Sequence, residues 1–187
     1  MNRWEFSEPI RTDRLELRPL VADDVPAVHS WMSNPEVVRY QLYEPRSLEV
    51  VTEKVAEYGQ ARTLAEKGDY IQPAIVHDGE VIGAMYFTIT STDDQTGEIG
   101  WVLRPEWWGK GFAREAAASI LDLAFGPLGL HRVKAELDPR NEASVALCLR
   151  LGMRREAHFV EDMWFKGEWA DTGVYAILAR EWRGLPS

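Results

Sequence analysis

The sequence predicts one mixed α/β domain across residues 1–187, without the strict strand–helix alternation of a doubly wound sheet. A chain of 187 residues can bury a core without disulfides or metals. Apolar residues make up 45% of it and charged residues 27%, as in ordinary globular proteins. Hydrophobic periodicity gives the element order β-α-α-β-β-β-α-β-α-β-β, with no repeat or long linker that would mark a second domain.

The first third of the chain predicts one strand followed by two helices. Residues 14–18 alternate polar and apolar side chains, which indicates a half-buried strand. A short helix is predicted over 23–32, because Asn34-Pro35 breaks the pattern. Ser47 is a typical N-cap for a longer amphipathic helix, and Gly68 is expected near the end of that helix.

The middle of the chain predicts three strands. The runs 70–77 and 81–90 are rich in β-formers, and Asp78-Gly79 between them is a typical hairpin turn. After a polar loop, residues 98–103 form a further strand. The chain then enters a loop rich in tryptophan and glycine.

The last third predicts two helices and three strands. Small and apolar residues recur at helical spacing from Phe112, and Gly126-Pro127 ends this helix. Residues 131–137 alternate as a strand, and residues 143–151 predict a second short helix. The two final strands are expected at 153–160 and 172–179, with a hairpin turn between them at 166–168.

The charge and composition of the chain limit the classes of binding partner that we expect. The chain has 21 basic and 30 acidic residues, a net charge of −9, which disfavours nucleic acid and favours a cationic substrate such as an amine. No apolar run approaches the roughly 20 residues that a membrane span needs. The N-terminus has no apolar signal segment, and the lone Cys148 fits a reducing compartment. We therefore expect a cytoplasmic protein that does not bind membranes.

Several common catalytic patterns are missing from the sequence. The four histidines are scattered, without the spacing of zinc ligands, so no metal site is expected. The chain has neither a G-x-S-x-G nucleophile elbow nor a nucleotide P-loop. Cys148 falls on the apolar side of its helix, which favours a buried, inert thiol over a nucleophile.

The loop that contains Gly109 and Gly111 has a chemical interpretation of its own. A strand ends there, two glycines permit tight turns, and a helix begins. The unpaired N–H groups and the dipole of a helix start attract a phosphate or pyrophosphate, and Lys110 and Arg114 add positive charge. The alternative is a loop whose glycines serve only the turn.

This loop also carries a resemblance to a known family. Residues Trp107-Trp108-Gly109-Lys110-Gly111-Phe112-Ala113, followed by Glu115-Ala116, resemble the acyl-CoA-binding motif of the GNAT superfamily of N-acetyltransferases. The pattern W-G-K-G-F-A is most similar to the branch that includes the N-terminal acetyltransferases of ribosomal proteins.

Further blocks of the resemblance follow the family's order along the chain. Residues 98–103 resemble the strand before the motif, and residues 11–18 resemble the first strand of this branch. The segments 141–144 and 149–153 resemble a later asparagine-to-glycine block. The resemblance covers about residues 11–179, and several ordered blocks are far more specific than one glycine loop.

The resemblance implies a mixed, mostly antiparallel central sheet with flanking helices, whose central strands splay apart near Leu103 and Ala135. It implies that the pantetheine arm of acetyl-CoA enters this gap and pairs with free backbone groups of Val102 and Leu103, while the pyrophosphate binds the loop. The implied CoA site consists of Val102, Leu103, Trp108, Gly109, Lys110, Gly111, Phe112, Ala113, Arg114 and Asn141.

The chemistry of amide formation suggests catalytic candidates. An ammonium must lose a proton before it attacks a thioester. Glu98, on the strand that leads to the gap, is the predicted base, acting directly or through water; the alternative is an ordinary exposed glutamate on a strand. The oxyanion needs a donor such as the N–H of Val102 or Leu103. Asn141 either positions a substrate or caps a helix. Many family members have a tyrosine that acts as general acid where this chain has Cys148. Ser144 is the nearest polar substitute; the alternative is an ordinary serine in the first turn of a helix.

The sequence therefore predicts an acetyl-CoA-dependent N-acetyltransferase that works by direct transfer, without a metal. The acceptor is an amine, either a protein N-terminus or a small molecule, because fold and CoA site do not choose it. A homodimer is compatible with this prediction. The alternative is a non-catalytic acyl-CoA-binding or interaction protein that kept the loop and lost the acid–base groups.

Overall fold

The computed structural model describes residues 1–184, which form eleven strands and five α-helices. The strands are β1 (Trp4–Glu5), β2 (Ile10–Arg11), β3 (Glu16–Arg18), β4 (Thr63–Leu64), β5 (Tyr70–Ile71), β6 (Ala74–His77), β7 (Glu80–Ser91), β8 (Thr96–Leu103), β9 (Arg132–Leu137), β10 (Arg154–Phe165) and β11 (Glu168–Leu178). The helices are α1 (Val25–Met32), α2 (Pro35–Val38), α3 (Leu48–Gln60), α4 (Phe112–Phe125) and α5 (Glu142–Arg150). None of these helices is long and apolar enough to cross a lipid bilayer.

One large sheet organises the described residues. Its strand order is β10-β11-β9-β8-β7-β6-β3-β2, with the short β5 paired to β7, while β1 and β4 form a separate pair. Neighbouring strands in this sheet run antiparallel, except that β8 and β9 are parallel. The predicted mixed, mostly antiparallel sheet is confirmed.

The parallel contact between β8 and β9 is short. Pairing runs from Thr96 opposite Arg132 to Glu98 opposite Lys134, and no further pair joins the two strands. Each strand continues beyond this point, β8 against β7 and β9 against β11. The two strands therefore separate toward Leu103, as the family resemblance implied.

Helices cover both faces of the sheet and give it two cores. The larger cluster contains Ile99 and Leu103 of β8 with the apolar side of α4. The smaller cluster packs α1 and α3 against the opposite face, and Val102 contacts it from β8. Because side chains alternate along β8, the larger core contacts Ile99 and Leu103, and the smaller core contacts Val102 between them.

The predicted elements differ from the structure at two prolines and at the end of the helix that follows Ser47. The expected strand over 70–77 is interrupted at Pro73, which lacks an N–H, although its carbonyl accepts from Met85 N–H at 2.9 Å. Pro35 begins α2 instead of only ending a helix. The helix after Ser47 ends at Gln60, and Gly68 lies in a later turn, where its N–H donates to Ile89.

Candidate active site

The loop after β8 turns sharply at two glycines. Gly109 has a φ of 72° and Gly111 a φ of 83°, which is left-handed backbone that favours glycine. Gly111 is the N-cap of α4 and has no side chain that could occupy the helix start. The loop therefore leaves the first turn of α4 open to a ligand.

The backbone N–H groups of this loop have no partners of their own. Within residues 1–184, none of the N–H groups from Gly109 to Arg114 donates to a carbonyl or side-chain oxygen, whereas Glu115 N–H already reaches Gly111. Consecutive free donors at the positive end of a helix form a binding site for an anion.

Two cations flank these donors. Neither Lys110 nor Arg114 is ion-paired among the described residues, and the Nε of Arg114 is buried without a hydrogen-bond partner. Lys110 Nζ lies 4.5 Å above the ring of Trp107. A protein with net charge −9 thus concentrates unpaired positive charge at one helix start.

Phe112 contributes its backbone to this site and not its side chain. Its ring is 5% exposed, lies 4.5 Å from the ring of His77, and packs in the larger core. The aromatic residue anchors the first turn of α4 to the sheet, while its N–H makes no hydrogen bond within residues 1–184.

A polar network fixes the start of α4 to the turn before β3. Glu115 accepts hydrogen bonds from Thr12 Oγ1 at 2.6 Å, from Arg14 N at 2.9 Å and from Arg14 Nε at 2.7 Å. Arg14 Nη1 also donates to the Lys110 carbonyl, at 3.2 Å. Burial acts to raise the pKa of Glu115, but these hydrogen bonds outweigh it and hold the pKa below its usual value. The network was not predicted, although residues 11–18 and Glu115 both belong to the recognised blocks.

The register of β7 and β8 decides which backbone groups face the gap. Arg104 N–H donates to Ile82, so Val102 exchanges its hydrogen bonds with Ala84 on β7. The predicted contact of Val102 with pantetheine is thereby corrected, because its N–H and carbonyl point away from the gap. The backbone groups of Trp101 and Leu103 point toward β9 instead.

One of these groups is already in use. The indole Nε1 of Trp108 donates to the Leu103 carbonyl at 2.8 Å, although the Trp108 residue is 45% exposed. Trp108 therefore closes the end of β8, and the Leu103 N–H is the group that remains available at this position for an incoming ligand.

Glu98 lies at the base of the gap, in the last pair that joins β8 to β9. Its side chain is 28% exposed and its carboxylate lies 3.2 Å from Lys134 Nζ, which also contacts Glu136 at 2.5 Å. Burial acts to lower the pKa of Lys134, but Glu136 and Glu98 outweigh it and raise that pKa. The β7–β8 register is regular from Glu98 to Val102, so Glu98 shares its strand face with Gly100 and Val102.

Asn141 and Ser144 stand together at the start of α5. The Asn141 side chain accepts from Ser144 N–H at 3.1 Å and is the N-cap of this helix. The Ser144 hydroxyl accepts from Trp101 Nε1 at 3.2 Å, a bond that connects β8 to α5. Within residues 1–184 the Ser144 hydroxyl donates to no acceptor, so its proton is free to be donated.

Cys148 does not reach this site. The residue is 0% exposed within the larger core, and burial raises the pKa of its thiol to about 12. The expectation of a buried thiol agrees with this position. A thiol enclosed in this way cannot replace the tyrosine that acts as general acid in many family members.

The arrangement fits an acyl-CoA. Free N–H groups and unpaired cations at the loop suit a pyrophosphate, and the gap between β8 and β9 offers backbone groups to an extended arm. The Arg114 Nε, buried without a partner, is one polar atom that such a ligand would satisfy.

Comparison with known proteins establishes the class. Residues 14–154 match the model of the acetyltransferase (GNAT) domain. The chain belongs to this family and is an N-acetyltransferase.

Individual relatives agree over nearly the whole chain. The uncharacterized N-acetyltransferase YnaD of Bacillus subtilis is 36% identical over 180 residues, covering 92% of this chain and 98% of that protein. The crystal structure of a GNAT-family acetyltransferase from Bacillus anthracis is 31% identical, covers 93% of this chain and 100% of that one, and superposes with a TM-score of 0.83. Spermidine N(1)-acetyltransferase of Escherichia coli is 24% identical over 173 residues, covering 90% of this chain and 88% of that enzyme.

Proposed function

We propose that the protein transfers the acetyl group of acetyl-CoA directly to a primary amine. The observation that carries this proposal is the loop from Gly109 to Arg114, whose free N–H groups lie at the open end of the gap between β8 and β9. Acetyl-CoA would supply the activated acetyl group, and this chain would bind it, orient it and handle the protons.

Binding would divide between loop and gap. The N–H groups of Gly109, Lys110, Gly111, Phe112 and Ala113 would hold the pyrophosphate, with Lys110 and Arg114 adding charge. The free backbone groups of Trp101 and Leu103 would align the pantetheine arm. The Leu103 N–H is our proposed donor to the developing oxyanion, in place of Val102.

Proton transfer would use groups on both sides of the gap. Leu103, the proposed oxyanion donor, lies five residues beyond Glu98, or about 16 Å at about 3.3 Å per residue. The Glu98 carboxylate would therefore accept the ammonium proton through a chain of water molecules. On the other side, the Ser144 hydroxyl, which Trp101 holds in place, would pass its proton to the leaving thiolate and take up the second proton that the attacking nitrogen loses as the amide forms. Asn141 would position Ser144 by capping α5.

The acceptor amine is the open part of the proposal. The acidic balance of the chain favours a cationic substrate. The spermidine enzyme among the relatives supports a small amine, and the branch that the sequence resembles supports a protein N-terminus.

The test is an acceptor screen. The protein is incubated with acetyl-CoA and a panel of amino acids, polyamines and peptides, and acetylated products are identified by mass spectrometry. We expect CoA release only with an acceptor present. Tight CoA binding without any acetylated product would instead favour the non-catalytic acyl-CoA-binding alternative.

A further inference from the structure

A row of tyrosines lies on the sheet face that carries Gly100. In the β7–β8 register Gly100 is opposite Tyr86, and a Cβ built on Gly100 would lie 3.6 Å from the Tyr86 Cβ. The Tyr86 ring lies 6.0 Å from that of Tyr70, which lies 6.4 Å from that of Tyr58 on α3. Because Gly100 is in the splayed part of β8, this row begins beside the gap. We call Tyr43, Tyr58, Tyr70 and Tyr86 the tyrosine wall.

Arg46 belongs to this wall, and within residues 1–184 its guanidinium has no carboxylate partner. Its guanidinium carbon lies 4.3 Å above the ring of Tyr43, and Tyr43, Tyr58 and Val102 all pack against the smaller core. Among the described residues Arg46 makes no ion pair, and its Nη1 is buried without a hydrogen-bond acceptor. A buried donor without an acceptor is rare in folded proteins.

The neighbouring groups leave this positive charge uncompensated. The nearby Glu57 is already occupied, since it pairs with Lys54 Nζ at 2.7 Å and accepts from the Tyr70 hydroxyl at 3.1 Å. Burial raises the pKa of Tyr43 to about 12, so the ring under Arg46 is a neutral phenol at neutral pH. The wall therefore offers an unused cation, whereas the nearby carboxylate of Glu57 is already paired.

We propose that Arg46 binds a carboxylate of the acceptor, so that the substrate class is a small amine that also carries a carboxylate, an amino acid. This inference rests on the proposed function and adds the acceptor to it. A planar guanidinium matches a carboxylate with two parallel hydrogen bonds. The tyrosine rings would contact the carbon skeleton, whereas a polyamine would bring its second ammonium against Arg46.

The experiment compares amino acids with their amides, which differ only in the carboxylate, and includes spermidine. For the unaltered protein we expect kcat/KM to favour the amino acid by about tenfold or more. In Arg46→Met this preference should fall to within about threefold, and Arg46→Lys should retain part of it. Arg39→Met is the matched control, because Arg39 also lies over a tyrosine ring, at 5.2 Å from Tyr40, but is exposed.

A binding measurement separates the two proposals. Thermal-shift titration with amino acids in the presence of CoA needs no turnover, and the dissociation constant for CoA checks that each variant is folded. If amino acid binding depends on Arg46 but no acetyl group is transferred, the carboxylate site stands and the proposed function is wrong. If amides or spermidine are acetylated as well as amino acids, the carboxylate site is wrong and acetyl transfer stands.

Discussion

Gly111 combines two constraints at one residue. Its φ of 83° strains any other residue, and its N–H belongs to the loop that we propose binds the pyrophosphate. We expect Gly111→Glu to weaken acetyl-CoA binding at least about tenfold, because the carboxylate would lie beside the pyrophosphate. Isothermal titration calorimetry of folded protein measures this directly.

A matched variant separates strain from charge. Gly111→Lys imposes the same left-handed backbone on a residue of similar size but opposite charge. It should bind acetyl-CoA more tightly than Gly111→Glu, with the difference shrinking at high salt. Equal affinities of both variants and the unaltered protein for acetyl-CoA would contradict the proposal that the pyrophosphate binds this loop.

Glu98 provides a second test at the residue scale. Glu98→Gln keeps the shape of the side chain and removes the base, so kcat should fall strongly near neutral pH while acetyl-CoA affinity stays nearly unchanged. The acidic limb of the pH–rate profile should flatten. A variant with the parental rate and limb would show that Glu98 serves only its pair with Lys134.

Single residues also show where sequence reasoning stops. Gly109 and Gly111 were predictable, because two glycines before a helix specify backbone that other residues avoid. The choice of Leu103 over Val102 as backbone donor to the oxyanion was not predictable, because it depends on the β7–β8 register. Alternation within one strand does not fix that register. The Arg14–Glu115 contact joins residues 101 positions apart, beyond any local pattern.

At the scale of the element, Asn141 is first a helix cap. Because its side chain accepts from Ser144 N–H, Asn141→Ala should lower the free energy of unfolding by about 1 kcal/mol. Asn141→Asp can still cap and should restore most of that stability. Chemical denaturation with kinetics in parallel tests both roles. A kcat/KM loss in Asn141→Asp as large as in Asn141→Ala would show that the amide also acts on substrate.

Glu115, near the start of α4, makes a contribution to the stability of the fold that depends on pH. Its pKa is lowered from 4.5 in the folded protein, so its contribution to stability is present above that pH and is lost as the pH falls through the lowered value. Glu115→Gln should cost about 1 to 3 kcal/mol at pH 7, because the side chain is only 12% exposed.

The measurement is the free energy of unfolding of both proteins from pH 7 down to pH 3. The difference between them should be constant above about pH 5 and should shrink below it. A difference that does not change with pH would assign the loss to packing and not to the Glu115 charge.

Elements were predictable where one local signal dominates. The Asp78-Gly79 turn and the α4 pattern each specify their structure within a few residues, and both are present. Pro73 interrupts an otherwise uniform β-rich run, and only the position of β3, β6 and β7 in the sheet shows that the strand resumes after it. The short strands β1 and β4 pair across about 60 residues and carry no signal of their own.

At the scale of the whole molecule, the sheet is two halves held together by a narrow contact. Three parallel pairs join β8 to β9, whereas six pairs join β9 to β11. Beyond the contact, α4 and α5 and the Trp101–Ser144 bond bridge the halves. A ligand that fills the gap would therefore supply the sheet hydrogen bonds that β8 and β9 do not make with each other.

This architecture predicts how CoA should stabilise the fold. At about 100 times its dissociation constant, a ligand that binds only the folded state adds about 2.7 kcal/mol. We expect hydrogen exchange with CoA to slow in the loop from Gly109 to Arg114 and at Trp101 and Leu103, where free N–H groups gain acceptors. The turn at Lys166-Gly167 between β10 and β11, which lies outside the gap and exchanges through local opening, should exchange unchanged. Gly111→Glu at the same CoA concentration is the control and should show little protection. Protection confined to the loop, with Trp101 and Leu103 unaffected, would mean that the pantetheine arm does not enter between β8 and β9.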